Sequence, residues 1–361
     1  MPATPEYLER NLRNFAGFCA GASPLYASLS GHVALDADVL ALATVGQDRQ
    51  PPANLLFGAV HDLLLAGRRH PLRDHYPSVG GTAGPNGAYT PFRDFCLTYA
   101  DELRERISTR RVQTNEVGRC GLLLPAFALA WQQAGRRPLF MLELGASAGL
   151  NLHFDQYAYE WSRDNDGEGQ TLGSSHARVR TETRGGAGPL PAAFPPVAGR
   201  IGVDLAPVDV TDADAIRWVE AMIWADMTER LELFRAAVAH ARRRPPDIRR
   251  GDGLALLPEL IRVAPPDTVP CVYHSHAIYQ MDATWRTEFR TMLHEAARSR
   301  DLAWVSLEWL KDDPCPRLDL TVFRDGVGET RWLANGHHHG AWIEWRESPM
   351  AAPPDFPAGR G

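Results

Sequence analysis

The chain has 361 residues, which is more than one hydrophobic core usually serves, so we expect one large domain with an appended segment. Hydrophobic residues make up 44% and charged residues 23%, as is ordinary for a globular protein. The net charge of -6 gives no general attraction to phosphate backbones, and we expect no nucleic-acid partner.

The cysteines and the apolar segments indicate a cytoplasmic protein. The five cysteines are scattered without Cys-x-x-Cys spacing, which favours reduced thiols over a zinc site or a disulfide framework. The N-terminal residues lack the apolar core of a signal peptide. The most apolar window, residues 121–131, has about half of the ~20 residues that a membrane span needs. We therefore expect no membrane contact, and the sequence does not indicate an oligomeric state.

Residues 1–136 are predicted to form an all-α segment without strands. Apolar side chains recur at helical spacing near the N-terminus, at Tyr7, Leu8, Leu12, Phe15 and Phe18. Further helices are expected around residues 36–43, 55–65, 94–110 and 117–133. A loop rich in proline and glycine, residues 71–87, interrupts them.

The pattern changes at residue 137. The apolar run 138–144, bounded by proline and glycine, is typical of a buried parallel strand. Strands then alternate with helices as far as Glu308, which predicts a Rossmann-like, doubly wound α/β sheet. Antiparallel edge strands are expected at its end, turning at Asp325 and Gly326. The predicted domain is 137–347, after an N-terminal cap 1–136 and before a C-terminal tail 348–361.

An insertion is predicted at about residues 157–184. The segments Tyr157–Trp161 and Arg178–Thr183 alternate between apolar and polar residues, and they flank a polar, glycine-rich run. We interpret them as an inserted β-hairpin.

A loop of small residues follows the first predicted strand. Between Glu143 and Asn151 the chain places Gly145, Ser147 and Gly149 at alternate positions, where a strand is expected to turn into a helix. Small residues let the backbone approach a ligand, and a helix start offers N–H groups to an anion. A dinucleotide fingerprint would need glycine at 147 and 150, which this chain lacks.

Two carboxylates follow at the ends of later predicted strands. Asp204 ends the strand around residues 200–205, and a carboxylate there can accept both hydroxyls of a ribose. Asp252 lies in the turn after the strand around residues 247–250. Asp204 lies farther from the loop than the ~20 residues usual for such sites, and the predicted insertion accounts for most of the excess.

Together these segments resemble the motifs of class I S-adenosylmethionine-dependent methyltransferases. The resemblance implies S-adenosylmethionine as cofactor and a small molecule as methyl acceptor. It assigns Asp252 to the adenine amino group and Asp204 to the ribose. The full set of cofactor-binding residues that it implies is Glu143, Gly145, Ser147, Gly149, Asn151, Asp204 and Asp252.

The chain also resembles, over nearly its full length, a bacterial family filed only as a domain of unknown function. The resembling runs are residues 113–116, 143–152, 202–207 and 251–252. This resemblance implies a methyltransferase-like fold with an N-terminal helical cap, and it implies no substrate. It also favours a place in the cleft for Asn115 and Glu116, which are predicted to bind substrate.

Histidines supply the candidate catalytic group. His274 and His276 end the predicted strand 268–275, where open α/β sheets bind ligands, and a histidine there can deprotonate an attacking N–H or O–H. We predict His274 as the base, with His276 and Tyr279 in contact with substrate. The alternative is that both histidines form hydrogen bonds only within the protein and have structural roles. His337–His339 are interpreted as turn residues and not as a metal site, because neighbours on a strand point to alternate faces.

Two other functions stay open. The residues Gly145-x-Ser147-x-Gly149 also match the nucleophile elbow of α/β-hydrolases, with acidic residues and a histidine following in the required order. Against that interpretation, no oxyanion loop of the His-Gly-Gly type precedes it. The other alternative is a protein that binds a nucleotide-like ligand without catalysis.

Overall fold

The described part of the chain is divided between two units. The computed structural model describes residues 4–163, 169–186, 188–309 and 313–346. Of the described residues, those up to 114 and 211–232 form one unit, and those in 115–210 and from 233 onward form the other. The predicted C-terminal tail, 348–361, lies outside the described residues. The functional role predicted for the N-terminal segment as a cap stays a prediction.

The helices match most of the periodic segments of the sequence, but the helix Pro24–Val33 was not predicted, and the predicted helix 94–110 is divided into two. Their bounds are α1 Pro5–Cys19, α2 Pro24–Val33, α3 Ala37–Ala43, α4 Pro52–Leu65, α5 Tyr89–Thr98, α6 Ala100–Thr109, α7 Cys120–Gln133, α8 Ala213–Ala221, α9 Thr228–Arg243, α10 Gly253–Val263 and α11 Ala283–Ala297. Helix α1 begins at a proline after Thr4, whose hydroxyl caps the helix by accepting from the Tyr7 amide. None of the helices within the described ranges is long and apolar enough to cross a membrane.

The helical unit combines the N-terminal helices α1–α6 with α8 from the middle of the chain. Helix α8 packs against α4, and the Met222 side chain after α8 lies against Gly58 of α4. A Cβ at Gly58 would lie 2.0 Å from the Met222 methyl carbon, so a larger residue at 58 would require this flexible side chain to move. Trp218 and Val219 are buried in the same unit. The apolar face of α8 is therefore part of the helical core.

The strands of the other unit form a single mixed sheet. They are β1 Leu139–Leu144, β2 Ala158–Arg163, β3 Gln170–Leu172, β4 Arg178–Arg184, β5 Val197–Asp204, β6 Ile248–Arg250, β7 Val269–Ser275, β8 Leu302–Glu308, β9 Arg317–Arg324, β10 Val327–Gly336 and β11 Trp342–Trp345. Their order across the sheet is β3-β2-β4-β11-β10-β9-β8-β7-β1-β5-β6. The protein is thus a mixed α/β protein with a large sheet.

One half of this sheet is parallel. Strands β6, β5, β1, β7 and β8 are neighbours in that order, and every pairing among them is parallel. Taken in chain order, they lie third, second, first, fourth and fifth, which is the strand order of a doubly wound sheet. The chain therefore changes direction across the sheet between β1 and β7.

The other half is built by the strands that were expected at the edge and in the insertion. Strands β9 and β10 form the predicted antiparallel hairpin, which turns at Asp325 and Gly326. Beyond them β11 pairs in parallel with β4, so these strands are internal to the sheet and not at its edge.

The predicted inserted hairpin is wrong in its pairing. Strands β2 and β4 are parallel to each other, while the short strand β3 pairs antiparallel with β2. The residues between β2 and β3, 164–168, lie outside the described ranges. Alternation in the sequence shows that one face of a strand is buried, but it does not identify the neighbouring strand.

Helices cover both faces of the parallel half. Leu142 and Leu144 of β1 belong to one apolar cluster with residues of α10 and α11. On the opposite face, Tyr273 of β7 lies with its ring 4.8 Å from that of Phe127 in α7. Because side chains alternate along a strand, Glu143 faces the same side as Tyr273. Glu143 therefore lies on the side of the sheet that α7 covers.

Candidate functional site

The chain direction changes between β1 and β7, and this switch point is where open α/β sheets form a ligand crevice. The loop after β1, residues 145–149, is called the Gly loop here, and the turn after β7, residues 276–279, the His276 turn. A Cβ at Gly145 would lie 2.6 Å from the Ala277 Cβ. Glycine at 145 therefore lets the loop and the turn approach each other.

The Gly loop has a left-handed backbone at three positions. The φ angles are +75° at Gly145, +53° at Ser147 and +68° at Gly149. Gly149 also has no room for a side chain, because its Cβ would lie 2.7 Å from Pro246 Cγ. The serine adopts a conformation that L-residues rarely visit, so the surrounding structure must hold it there.

Most amides of the loop are hydrogen-bonded inside the protein. The Ser147 N–H donates to Asp204 Oδ2 at 2.8 Å, and the Leu150 N–H donates to Asn115 Oδ1 at 2.9 Å. The Gly145 N–H donates to the Val203 carbonyl oxygen. The expected helix start after the loop is also wrong, because residues Leu150–Gln156 form a short 3-10 segment. The loop is therefore a preformed surface and not an open row of amides for an anion.

Asp204 has the position predicted for it, at the carboxyl end of β5 next to the Gly loop. Its Oδ2 accepts the Ser147 amide, and its Oδ1 accepts the Ala206 amide at 2.7 Å. The residue is half-buried, and each carboxylate oxygen can accept more than one hydrogen bond. Asp204 can therefore fix the loop and accept bonds from a ligand at the same time.

Asp252 has a structural role as well as an exposed carboxylate. It caps α10 by accepting the Leu254 amide at 2.8 Å, and it accepts the indole N–H of Trp285 at 3.0 Å. The Trp285 ring is stacked on Phe289, with centroids 5.2 Å apart. The carboxylate predicted to meet an adenine thus lies beside a flat aromatic ring.

Glu143 lies inside the protein and not on the surface of the crevice. It is 2% exposed, and burial raises the pKa of its carboxyl group to about 8. Hydrogen bonds from Tyr273 Oη, at 3.2 Å, and from Asn151 oppose this rise, and the charge of Asp204 adds to it. Asn151 is itself buried and accepts the Cys120 thiol at 3.4 Å. Both predicted cofactor residues form a buried polar network behind the Gly loop.

His274 does not have the geometry of a general base. Its ring is fully buried, and both nitrogens are hydrogen-bonded inside the protein. Nε2 accepts the indole N–H of Trp304 at 2.9 Å, so Nδ1 carries the proton and donates to Glu308 Oε1 at 2.7 Å. This arrangement favours a structural role for His274 over the catalytic role expected from the sequence.

Glu308 at the end of β8 organises the turn on this side of the switch point. Its Oε1 accepts the amides of Ala277 and Ile278, at 2.9 and 3.2 Å, in addition to the His274 ring. Its Oε2 accepts the Tyr279 amide at 3.3 Å. Sequence reasoning missed this residue, although an apolar strand ending in a carboxylate is the same signal that identified Asp204.

His276 and Tyr279 lie on the His276 turn. The His276 backbone has a φ of +52°, and its Nε2 atom is buried with no hydrogen-bond partner within the described ranges. Burial lowers the pKa of its ring, and the nearby Arg119, His338 and His274 lower it further. Tyr279 is 49% exposed.

Asn115 and Glu116 are brought next to the Gly loop and to the C-terminal strands. Both are buried; Asn115 accepts the Leu150 amide, and Glu116 Oε1 accepts the Gly118 amide at 3.2 Å. Arg119, which the sequence analysis did not single out, donates to the carbonyl oxygens of Ser275 and His338. These residues connect the switch point to the turn before β11.

His337–His339 form a turn, as expected, but their rings do cluster. The ring centroids of His337 and His338 lie 4.2 Å apart, and those of His338 and His339 lie 3.9 Å apart. The argument from alternate faces of a strand fails because the segment is a turn after β10. No group of His, Cys, Asp or Glu side chains in the described part of the chain has an arrangement that holds a metal ion.

The hydrolase alternative lacks its base. Ser147 is 3% exposed, and its Oγ is buried with no hydrogen-bond partner among the described residues. A nucleophilic serine needs an adjacent base, and no histidine within the described ranges is hydrogen-bonded to Ser147 Oγ.

The fold and the strand ends define a mixed α/β protein with a topological switch point in the parallel half of its sheet. Within this class the chain belongs to a bacterial family described as "Uncharacterized protein conserved in bacteria (DUF2332)", which matches residues 9–345. This agrees with the predicted family of unknown function. No curated protein matches the sequence.

Proposed function

We propose that the protein is an S-adenosylmethionine-dependent methyltransferase that acts on a small molecule. The observation that carries the proposal is the order of three ligand-type strand ends. Gly145 follows β1, Asp204 ends β5 and Asp252 follows β6; these are adjacent parallel strands beside the switch point. A nucleoside bound across these strand ends would contact the backbone at Gly145, then the Asp204 carboxylate, and then the Asp252 carboxylate beside the Trp285 ring.

The residues present fit this cofactor. The Gly loop carries only glycine, alanine and serine, so its side chains are small, and Asp204 keeps lone pairs that can accept ribose hydroxyls. Trp285 supplies an aromatic surface beside Asp252. The bound cofactor supplies a methyl group already activated on a sulfonium. The protein then contributes mainly alignment, worth about 7–11 kcal/mol when two reactants are well oriented.

Calorimetry with S-adenosylmethionine and S-adenosylhomocysteine tests the proposal. We expect both to bind, and we expect S-adenosylhomocysteine to bind more tightly than adenosine, because a methyltransferase also contacts the amino acid portion. A non-catalytic protein that recognises only a nucleoside would bind all three alike. Failure of both cofactor forms to bind at millimolar concentration would rule out the proposal.

Substitution of Asp204 localises the binding. Asp204→Ala removes two charge-assisted hydrogen bonds to a ribose, each worth roughly 1.5–3 kcal/mol, so affinity for S-adenosylhomocysteine should fall about a hundredfold or more. Asp247→Ala is the matched control, because Asp247 precedes the amino end of neighbouring β6 and its side chain forms an ion pair with Arg249. Equal affinity in wild type and Asp204→Ala would remove Asp204 from the site.

A further inference from the structure

We propose that His276 accepts a proton from the methyl acceptor, and that this substrate is a small aromatic molecule whose nucleophile is an O–H or N–H group. The inference rests on the proposed methyltransferase function and assigns its substrate class.

The first observation is the unsatisfied ring of His276. Its Nε2 is shielded from water and has no hydrogen-bond partner in the part of the chain that the structure describes. A buried polar atom left in this way costs about 1–3 kcal/mol. The left-handed backbone, with a φ of +52°, adds strain at the same residue. Both costs occur at the switch point, where such sheets bind ligands, and a substrate O–H or N–H would satisfy the ring nitrogen.

The second observation is that hydrogen bonds to neighbouring residues fix the position of His276. Glu308 accepts the amides of the three residues that follow His276, and the His274 ring donates to the same carboxyl group. The His276 amide itself donates to the Leu307 carbonyl oxygen at 2.9 Å. The two histidines therefore have different roles. His274 helps to hold the turn through its hydrogen bond to Glu308, and His276 lies on that turn with its ring available to a substrate.

The third observation concerns the rings around His276. Tyr279 lies edge-on to the His276 ring, with centroids 6.2 Å apart, and is half exposed. His338 lies near enough to His276 to lower the pKa of its ring. The His338 ring is in turn 5.7 Å from the ring of Trp309. Arg119 fixes this arrangement by bonding the carbonyl oxygens of Ser275 and His338. Flat side chains with apolar faces favour a flat, aromatic substrate.

The electrostatics suit a proton acceptor. Burial, and after it the charge of Arg119, lowers the pKa of His276, so its ring is neutral at physiological pH and able to accept. In the reaction the substrate lone pair forms a bond to the methyl carbon while the carbon–sulfur bond breaks. The electron pair of the broken bond stays on sulfur, and the O–H or N–H proton passes to His276 Nε2. A ring with a lowered pKa is a weak base, so it accepts the proton as the new bond to the methyl carbon forms and makes the O–H or N–H group strongly acidic.

The test is equilibrium binding of two matched probes, 4-nitrophenol and nitrobenzene, to the full chain with S-adenosylhomocysteine present. We expect His276→Asn to weaken 4-nitrophenol binding at least tenfold and to leave nitrobenzene binding unchanged, because only the phenol has a proton to donate. Asparagine tolerates a left-handed backbone, so this variant should keep its unfolding temperature and its affinity for S-adenosylhomocysteine. Tyr279→Ala should weaken both probes, and Tyr279→Phe should weaken neither.

The outcomes separate the two proposals. Equal binding of 4-nitrophenol to wild type and His276→Asn, or no binding of 4-nitrophenol to either, overturns the inference about His276. If S-adenosylhomocysteine binds in those experiments, the proposed methyltransferase function survives that failure. Absence of S-adenosylhomocysteine binding instead refutes the proposed function itself.

Discussion

The Gly loop and the His276 turn lie on the two sides of the switch point and share one design. Each contains a non-glycine residue with a left-handed backbone, Ser147 at +53° and His276 at +52°. Each is held by a carboxyl group at the end of a neighbouring strand, Asp204 for the loop and Glu308 for the turn. In each, the left-handed residue has a buried side-chain atom without a hydrogen-bond partner among the described residues.

The two carboxyl groups differ in exposure, and the difference separates their roles. Asp204 is half-buried and holds two amides, so it keeps capacity for a ligand. Glu308 is 1% exposed and holds three amides and a histidine, so it has no such capacity. We infer that the Gly loop binds a ligand through Asp204, the carboxylate that anchors it. The His276 turn instead binds through His276, the residue that Glu308 positions.

Glu308→Gln should produce the largest effect on this comparison. The groups around Glu308 are all donors, so a glutamine N–H₂ group would face another donor and leave at least one buried group unpaired. At about 1–3 kcal/mol for each unpaired group, we expect the free energy of unfolding to fall by roughly 3 kcal/mol. Urea denaturation measures this, with the exposed Glu288→Gln as control. Equal losses in both variants would mean that Glu308 does not anchor the turn.

Glu143→Gln should have an effect that depends on pH. Its carboxyl pKa is raised from the ordinary value of 4.5 to about 8, so between these values only the folded protein keeps the proton. The free energy of unfolding should therefore fall as pH rises through this window, by up to about 1.4 kcal/mol per unit. Denaturation at pH 5 and pH 8 should show the variant equal to wild type at pH 5 and more stable at pH 8. Parallel pH profiles would contradict a protonated Glu143.

Ser147→Ala should have the smallest effect. The loop needs a small residue and uses the Ser147 amide, which alanine retains, so the affinity for S-adenosylhomocysteine should change less than twofold. Wild type should not react with a fluorophosphonate probe, because no base contacts Oγ within the described ranges. Stoichiometric labelling of Ser147, lost in the alanine variant, would revive the hydrolase interpretation.

The elements of the parallel half were predictable because their signals are local. The strand predicted from the apolar run 138–144 and the strand ending at Asp204 both lie where expected. The pairing of β2 with β4 was not predictable, since alternation gives the buried face of a strand and not its partner.

The roles of the histidines were beyond the sequence for a different reason. His274 and His276 are two residues apart on one strand end and carry the same chemical group. Only the placement of Trp304 and Glu308, about 30 residues later, shows that the first ring is fully bonded and the second is not. Proton positions depend on such partners, which local sequence does not encode.

The helical unit is assembled from two separate stretches of chain, so the polypeptide passes between the two units three times, after residues 114, 210 and 232. Dissection by truncation is therefore ruled out for this protein. A chain beginning at residue 115 would still carry α8, whose buried face includes Trp218 and Val219, but would lack the α4 surface that covers it. Because the apolar face of α8 would then be exposed, we expect the shortened chain to aggregate.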